Sequence, residues 1–547
     1  MELVDRLDSL EVAQRLAVSG QTNENAVQQL LHTGVKLVST SAALEDRFYD
    51  ALRELVTSIH TPAGLSEPIL YEGANYPGCW LESTGSISAE RLARFFPETA
   101  KATFLCFSRW QRDDGLVPYT VGEQGARYSQ IQAVSPLARS VWHFHQLYHP
   151  DAAFLRTMYD SMAAYDQWLA KYRDTRNTGA VEAFCVWDTG HDMSPRFWHI
   201  PDMTPHRDAA TCWDLPGLPY VAPDLTAFVY AQRKYLSHMA EELGRENEAI
   251  QWQSKAAATY QALWQQCFDP VDACFYDRDA EGNFVRVVSD VLLRVLADEA
   301  APADVMESAL RRYLLHPRKF FARYPLTSLA MDDPRFDHDF TYNTWGGATN
   351  FLSLLRAPDA FEYFGHHVEL TWLMGPAIAA LIGGTSFAQG MNPWTGAMGY
   401  GRHYSPAMLT LLDFIERLCG ILPASQALWF SANPVIPYQG SGAIPDIAYR
   451  RVIDDVVFDL VVVAEGRAYI FQQGIQRHAF PLGLRLITDR TGHVRALVGT
   501  SHRPITGTVM VDGRPIEVNV GPNQVHRYVD RSFVLETDPG LVMPHRD

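Results

Sequence analysis

No run of apolar residues in this sequence is long enough to cross a membrane. Its most apolar stretch, TWLMGPAIAALIGG (371–384), is short and broken by Gly and Pro. Positive charge is scarce: 46 Lys and Arg stand against 63 Asp and Glu, a net charge of −17. Such a balance repels phosphate backbones and anionic lipid, so neither nucleic acid nor a membrane is an expected partner. The surplus acid serves solubility. The seven cysteines (79, 106, 185, 212, 267, 274 and 419) are odd in number, widely spaced and without a CxxC pair. That excludes a disulfide framework and a thiolate zinc site. His191, His199, His206 and the pair His366-His367 lack metal-ligand spacing, and no HExxH occurs. VGEQGARYSQ (121–130) lacks the strand-then-helix setting of a dinucleotide loop. Neither a metal nor a cofactor is therefore expected. The acidic start, MELVDRLDSLEVAQRL, does not read as a signal peptide, and the expected compartment is the cytoplasm.

What is abundant is aromatic: 13 Trp, 24 Tyr and 27 Phe. Most such rings fill a core, yet surplus Trp also suits a sugar site, where indole stacks on the apolar faces of the ring. Up to about residue 420 the apolar period is helical. In 224–268 apolar residues recur at three and four, and Gly244 divides the run into an antiparallel helical hairpin. Further helices are expected within 89–111, 136–149, 154–173, 304–315, 359–375 and 405–420. Long Gly, Pro and aromatic loops separate them, and long loops in a compact domain are usually functional. A dozen helices in pairs predict a toroid of hairpins. After about 425 the texture becomes alternating, with Gly and Asp-Gly turns, which predicts a small antiparallel β-sandwich. The expected division is a helical extension over 1–64, the helical toroid over 65–425 and a β-domain over 426–547. PVIPYQGSGAIPD (434–446) is the expected linker.

The strongest local feature is VWDTGHDMSPRFW (186–198), which sets Asp188 and Asp192 beside Trp187, Trp198 and Arg196. Cleaving a glycoside needs a carboxylic acid to protonate the leaving oxygen, and burial among aromatics raises a carboxyl pKa into the useful range. The plainer reading is an Asp-rich loop with a helix start at Ser194-Pro195. On the residues alone the two stand about level.

The run resembles the proton-donor motif of glycoside hydrolase family 63 and its relatives, the mannosylglycerate hydrolases and inverting trehalases. Other stretches resemble family segments in the same order: YPGCWLESTGSIS (76–88), RDDGLVPY (112–119), the hairpin from 223 with CFYDRD (274–279), and NTWGGATNFLSLL (343–355). The resemblance spans roughly residues 65–420. It implies a mainly α fold, an (α/α)6 toroid with a small C-terminal antiparallel β-domain, and inverting cleavage of a small α-glycoside with Asp192 as general acid. The funnel should then hold Trp80, Glu82, Trp187, Asp188, Arg196, Trp345 and Asn392, with Asp188 and Arg196 positioning the sugar. Asp339, Arg402 and Tyr404, in HDFTY (338–342) and GRHYSP (401–406), are further expected ligands.

One departure stands out. Where the family carries its general-base Glu, FAQGMNPWTG (387–396) has Gln389, and an amide cannot take a proton from water. Four readings stay open at this point. Glu82, Asp339 or Asp114 supplies the base; phosphate is the nucleophile and no base is needed; the protein binds a sugar or performs another acid-catalysed step, as a cyclase or isomerase would; or Gln389 marks a substituted, substrate-trapping form. The oligomeric state is left open.

Overall fold

The computed structural model describes residues 2–17, 23–434, 443–464 and 466–545. Most of the expected linker lies outside the described residues.

Six helices form the centre of the helical part: Ile87–Leu92, Leu137–Tyr148, Pro223–Glu242, Val291–Ala297, Phe351–Tyr363 and Ser405–Cys419. Each packs on the next, and the last packs back on the first, so they close a ring. Their sequences explain the position. Every residue of Ile87–Leu92, of Val291–Ala297 and of Ser405–Cys419 is buried, as befits helices contacted on all sides. Further helices pack outside them: Ala42–Thr57, Pro97–Arg109, Ala152–Tyr172, Glu246–Cys267 and His367–Gly383. Among the described residues no helix is long and apolar enough to cross a membrane.

The hairpin expected over 224–268 is observed as Pro223–Glu242 and Glu246–Cys267, the most extensively packed helix pair. Gly244 adopts φ +71°, and the Arg245 N–H donates to the Ala240 carbonyl at 2.8 Å, closing the first helix. The run expected over 89–111 is instead two helices, Ile87–Leu92 and Pro97–Arg109. Phe96, forced out of the helical region by the proline after it, marks the break.

Two antiparallel sheets follow. One has six strands, in the order Ile421–Ala424, Ala427–Ser431, Leu484–Asp489, Val494–Gly499, Val525–Val529, Ser532–Thr537. The other has seven: Lys36–Ser39, Ile447–Ile453, Val456–Val463, Arg467–Gln472, Ile475–Pro481, Ile505–Val511, Arg514–Val520. Asp512-Gly513, both at positive φ, makes the two-residue turn between Val511 and Arg514.

The N-terminal stretch read as a helical extension departs from that reading. Its strand Lys36–Ser39 pairs with Ile447–Arg450 of the second sheet, and Ala42–Thr57 packs on Ser405–Cys419. Four alternating residues among helices are too short to announce a strand. The first C-terminal strand also starts at Ile421, ahead of the expected boundary, because the last ring helix passes directly into it through Gly420. A Cβ there would lie 2.7 Å from the Glu416 Cα.

Candidate active site

A cavity of about 200 Å³ opens where the ring helices begin. The segments that lead into the helix N-termini supply its wall. Glu72, Tyr76, Trp80 and Glu82 precede Ile87; Tyr119, Arg127, Gln130 and Gln132 precede Leu137; Trp187, Gly190 and Asp192 precede Pro223; Gln389 precedes Ser405. Short ladders hold these loops. Cys79–Trp80 pairs with Thr120–Gly122, setting the Trp80 and Tyr119 rings 5.7 Å apart. Gly390 pairs with Asn350, and on either side the Gln389 carbonyl accepts from Phe351 N–H at 2.9 Å while its N–H donates to Tyr400 at 2.8 Å.

Asp192 sits between two short turns. Its carbonyl accepts from the Trp345 N–H at 3.0 Å, and the Asn343 amide donates to Oδ2. Its Oδ1 is shut off from solvent and has no partner among the described residues. Burial, then the charge of Glu82, push the carboxyl up to about 7, and the Asn343 bond offsets part of this. Glu82 is raised by burial, with Arg294 and Arg356 pulling it back. Glu72 is pushed up to about 8, first by burial and then by Glu82, against the neighbouring hydroxyls of Tyr404 and Ser83. Gly190 makes this acid cluster possible. It has φ +64°, and a Cβ on it would fall 1.6 Å from the Glu82 Oε2. Gln389 is buried, and its Oε1 accepts from the Tyr76 hydroxyl at 3.1 Å. Among the described residues Arg127 is the one cation in the wall; it is exposed, with its guanidinium over the Trp80 ring at 5.5 Å.

Of the residues anticipated from sequence, Trp80, Glu82, Trp187, Asp192 and Gln389 line this cavity. Asp188 and Arg196, expected to position a sugar, do not line it. Asp188 is fully buried, paired with Arg173 and accepting from the Phe184 and Ile131 N–H groups at 2.7 and 3.0 Å. Arg196 binds Asp277 and Asp224 in two bidentate pairs at 2.7–2.9 Å. With every strong bonding site engaged, neither has a group left for a ligand; both fix the loop. Asp339 and Asp114 are exposed turn residues. Asp339 caps Thr341 N–H at 2.8 Å, and Asp114 pairs with Arg112 at 2.9 Å, so neither faces Asp192. Asn392 likewise caps the Trp394 and Thr395 N–H groups at 2.9 and 3.0 Å. Arg402 is exposed. Trp345 is buried under the site, its ring 4.8 Å from that of His191. Tyr404 is buried behind Tyr76 at a ring distance of 6.3 Å.

His191 is buried between Asp290 at 3.0 Å and Arg196 at 2.7 Å; burial and Arg294 depress it to about 3, so it stays neutral. Among the described residues no group of three His, Cys, Asp or Glu is arranged to hold a metal.

Sequence reading missed Glu72, Tyr76, Gln130, Gln132 and Asn343. The Gln130-x-Gln132 pair is the clearest signal it passed over, two amides close together in one loop, although Gln132 takes φ +42° and no strand alternation places them. Glu72 carries no local signal; only the packing of its loop brings it in.

A larger cavity, about 580 Å³, lies at the other end of the ring, among the C-terminal halves of the helices and the strand pair from Leu422 to Trp429. Its carboxylates Glu90, Glu299, Asp359 and Glu362 are each ion-paired. It offers no free acid for proton transfer.

Among solved structures, the chain is similar to a family 63 mannosylglycerate hydrolase from Thermus thermophilus in complex with Tris and D-glycerate. That match has 17% identity and a TM-score of 0.55, over 67% of this chain and 99% of the other. The same hydrolase in complex with glucose matches at 17% identity and TM-score 0.54, over 67% and 99%. A structure described as a sialidase matches at 16% and TM-score 0.61, over 89% of this chain and 44% of that one. These likenesses concern the fold. No curated protein matches the chain in sequence. The model of the mannosylglycerate hydrolase MGH1-like glycoside hydrolase domain, however, matches residues 76–405, more than half of the chain, and with an acid-lined, aromatic cavity inside that stretch the chain belongs to this family of glycosidase-like enzymes.

Proposed function

We propose that the closed ring and its outer helices form an (α/α)6 toroid that cleaves a small α-glycoside with inversion. Asp192 protonates the leaving oxygen while water attacks the anomeric carbon from the opposite face. The observation that carries this reading is the state of Asp192: a carboxyl in the cavity wall, with one oxygen held by Asn343, the other free, and a pKa near 7. About half of it is protonated at neutral pH, which is what a general acid requires. Trp80, Trp187 and Tyr119 offer faces for a pyranose ring, and Gln130 and Gln132 offer amides for its hydroxyls. The sugar-bound complex of the Thermus structure supports the substrate class.

Gln389 favours a second reading, phosphorolysis, in which phosphate replaces the activated water. Against it stands the wall itself, where three carboxyls crowd the cavity and, among the described residues, only the exposed Arg127 offers a dianion a counter-charge.

The test compares wild type with Asp192→Asn on aryl α-glycosides and on α-glycosyl fluorides, with anomeric NMR of the products. Fluoride leaves without protonation, so the variant should lose aryl glycosides by about 10²–10⁴-fold and keep the fluorides. Equal loss on both would remove Asp192 from the acid role, and phosphate-dependent turnover would establish the second reading.

A further inference from the structure

Inverting cleavage needs a carboxylate on the far side of the sugar from the acid, with room for water between them. Gln389 cannot serve, since its amide oxygen already accepts from Tyr76 and has no basicity to offer. Two carboxylates besides Asp192 line the cavity, Glu82 and Glu72.

Glu82 belongs to the acid's own side. Its Oε2 is pressed against Gly190, two residues before Asp192. Glu72 belongs to the wall that holds Gln389. Its carbonyl accepts from the Ser405 N–H at 2.8 Å, and Tyr404 N–H donates to Phe387 at 3.0 Å. Gly73 lies so close that a Cβ would stand 2.5 Å from the His403 carbonyl. Tyr76, from the same short loop, reaches across to Gln389. One patch of wall is thus built from the two segments together.

Resting on the hydrolytic reading above, we infer that Glu72 is the general base, a carboxylate displaced from position 389 to an adjoining loop of the same wall. Water hydrogen-bonded to Glu72 gives it a proton as the new O–C bond forms at the anomeric carbon. The glycosidic C–O bond breaks, its electron pair goes to the leaving oxygen, and that oxygen takes the proton of Asp192. The two carboxyls exchange roles as proton holder, and the productive form, Glu72 ionised and Asp192 protonated, returns once Glu72 passes a proton to solvent and Asp192 regains one.

The experiment uses the full chain with α-D-glucosyl, α-D-mannosyl and α-D-galactosyl fluorides, with and without sodium azide. Azide attacks without giving up a proton and needs no base. Glu72→Ala should lower fluoride hydrolysis by about 10²–10⁴-fold, and azide should restore turnover with the β-glycosyl azide as product. Glu72→Gln, nearly isosteric, should lose hydrolysis equally while keeping the wild-type melting curve. Azide rescue in Glu82→Ala rather than Glu72→Ala, or full activity in Glu72→Ala, would overturn the assignment and leave hydrolysis standing. A wild type inert on all three fluorides would overturn both.

Discussion

The two ends of the ring treat buried carboxylates in opposite ways. Where the helices begin, Glu72, Glu82 and Asp192 meet around an open cavity, and among the described residues no arginine is bound to any of their carboxyl oxygens. Where they finish, Asp413 is held by Arg94 and by Arg417, Asp359 by Arg91 and Arg139, and Glu362 by Arg417 and Arg485. Burial pushes Glu72, Glu82, Asp192, Asp413 and Glu362 toward their neutral forms. At the far end the guanidinium charges outweigh it and hold Asp413 and Glu362 below the usual range; at the near end nothing does. The same residue type is ion-paired at one end and without an arginine at the other, and the difference lies in its partners rather than its depth.

Exchanging a carboxylate for its amide should give opposite results at the two ends. Asp413→Asn leaves Arg94 with Glu416 alone and Arg417 with Glu362 alone in place of a shared second carboxylate, and should cost about 3 kcal/mol in urea unfolding. Glu72→Gln removes a group that gains nothing from being charged, so stability at pH 8 and above should hold or rise. Equal losses would mean that the near-end acids are also structural.

The pH dependence sharpens the same contrast. Glu72 and Asp192 have folded pKa values of about 8 and about 7, above their ordinary 4.5 and 3.8. Their contribution to stability is therefore complete below about pH 4 and is lost as pH rises through 7 to 8. Asp413 has a lowered pKa, so its contribution is present at neutral pH and is lost in acid. Activity on aryl glycosides should stay level between about pH 7 and 8, where loss of the Asp192 proton is matched by ionisation of Glu72, and fall about tenfold per pH unit above that. A profile flat from pH 6 to 9 would remove it as the acid.

Gly190→Ala tests how tightly the near-end cluster is built. A methyl at φ +64° and against the Glu82 carboxylate should cost about 1–2 kcal/mol of stability, with a larger loss in kcat than in KM as Glu82 and Asp192 shift. The smallest effect is expected of Gln389→Glu. With Glu72 serving as base, a further carboxylate should change fluoride hydrolysis by less than about tenfold. A hundredfold gain would mean the base position was vacant.

The helical hairpin around Gly244, the change of texture before the sheets and the place of the Asp192 loop at a cavity were all legible in sequence, because each rests on local periodicity or on a compact motif. What escaped depends on which charges meet. Asp188 and Asp192 lie four residues apart in one loop, yet Arg173 claims the first while the second faces the cavity. Nothing within the loop distinguishes them. Glu72 is placed by Ser405 and Tyr404, more than 300 positions away, and no local pattern can report such a neighbour. The strand Lys36–Ser39 was hidden for the same reason, since its partner is Ile447–Arg450.

That last pairing sets the order in which the molecule can be made. A ribosome must finish the strand ending at Ile453 before Lys36–Ser39 has anything to pair with, and Ser405–Cys419 must emerge before Ala42–Thr57 is covered. The earliest helices therefore wait through most of synthesis with apolar faces uncovered, and closure comes late and all at once, a topology that folds slowly and exposes the nascent chain to chaperones.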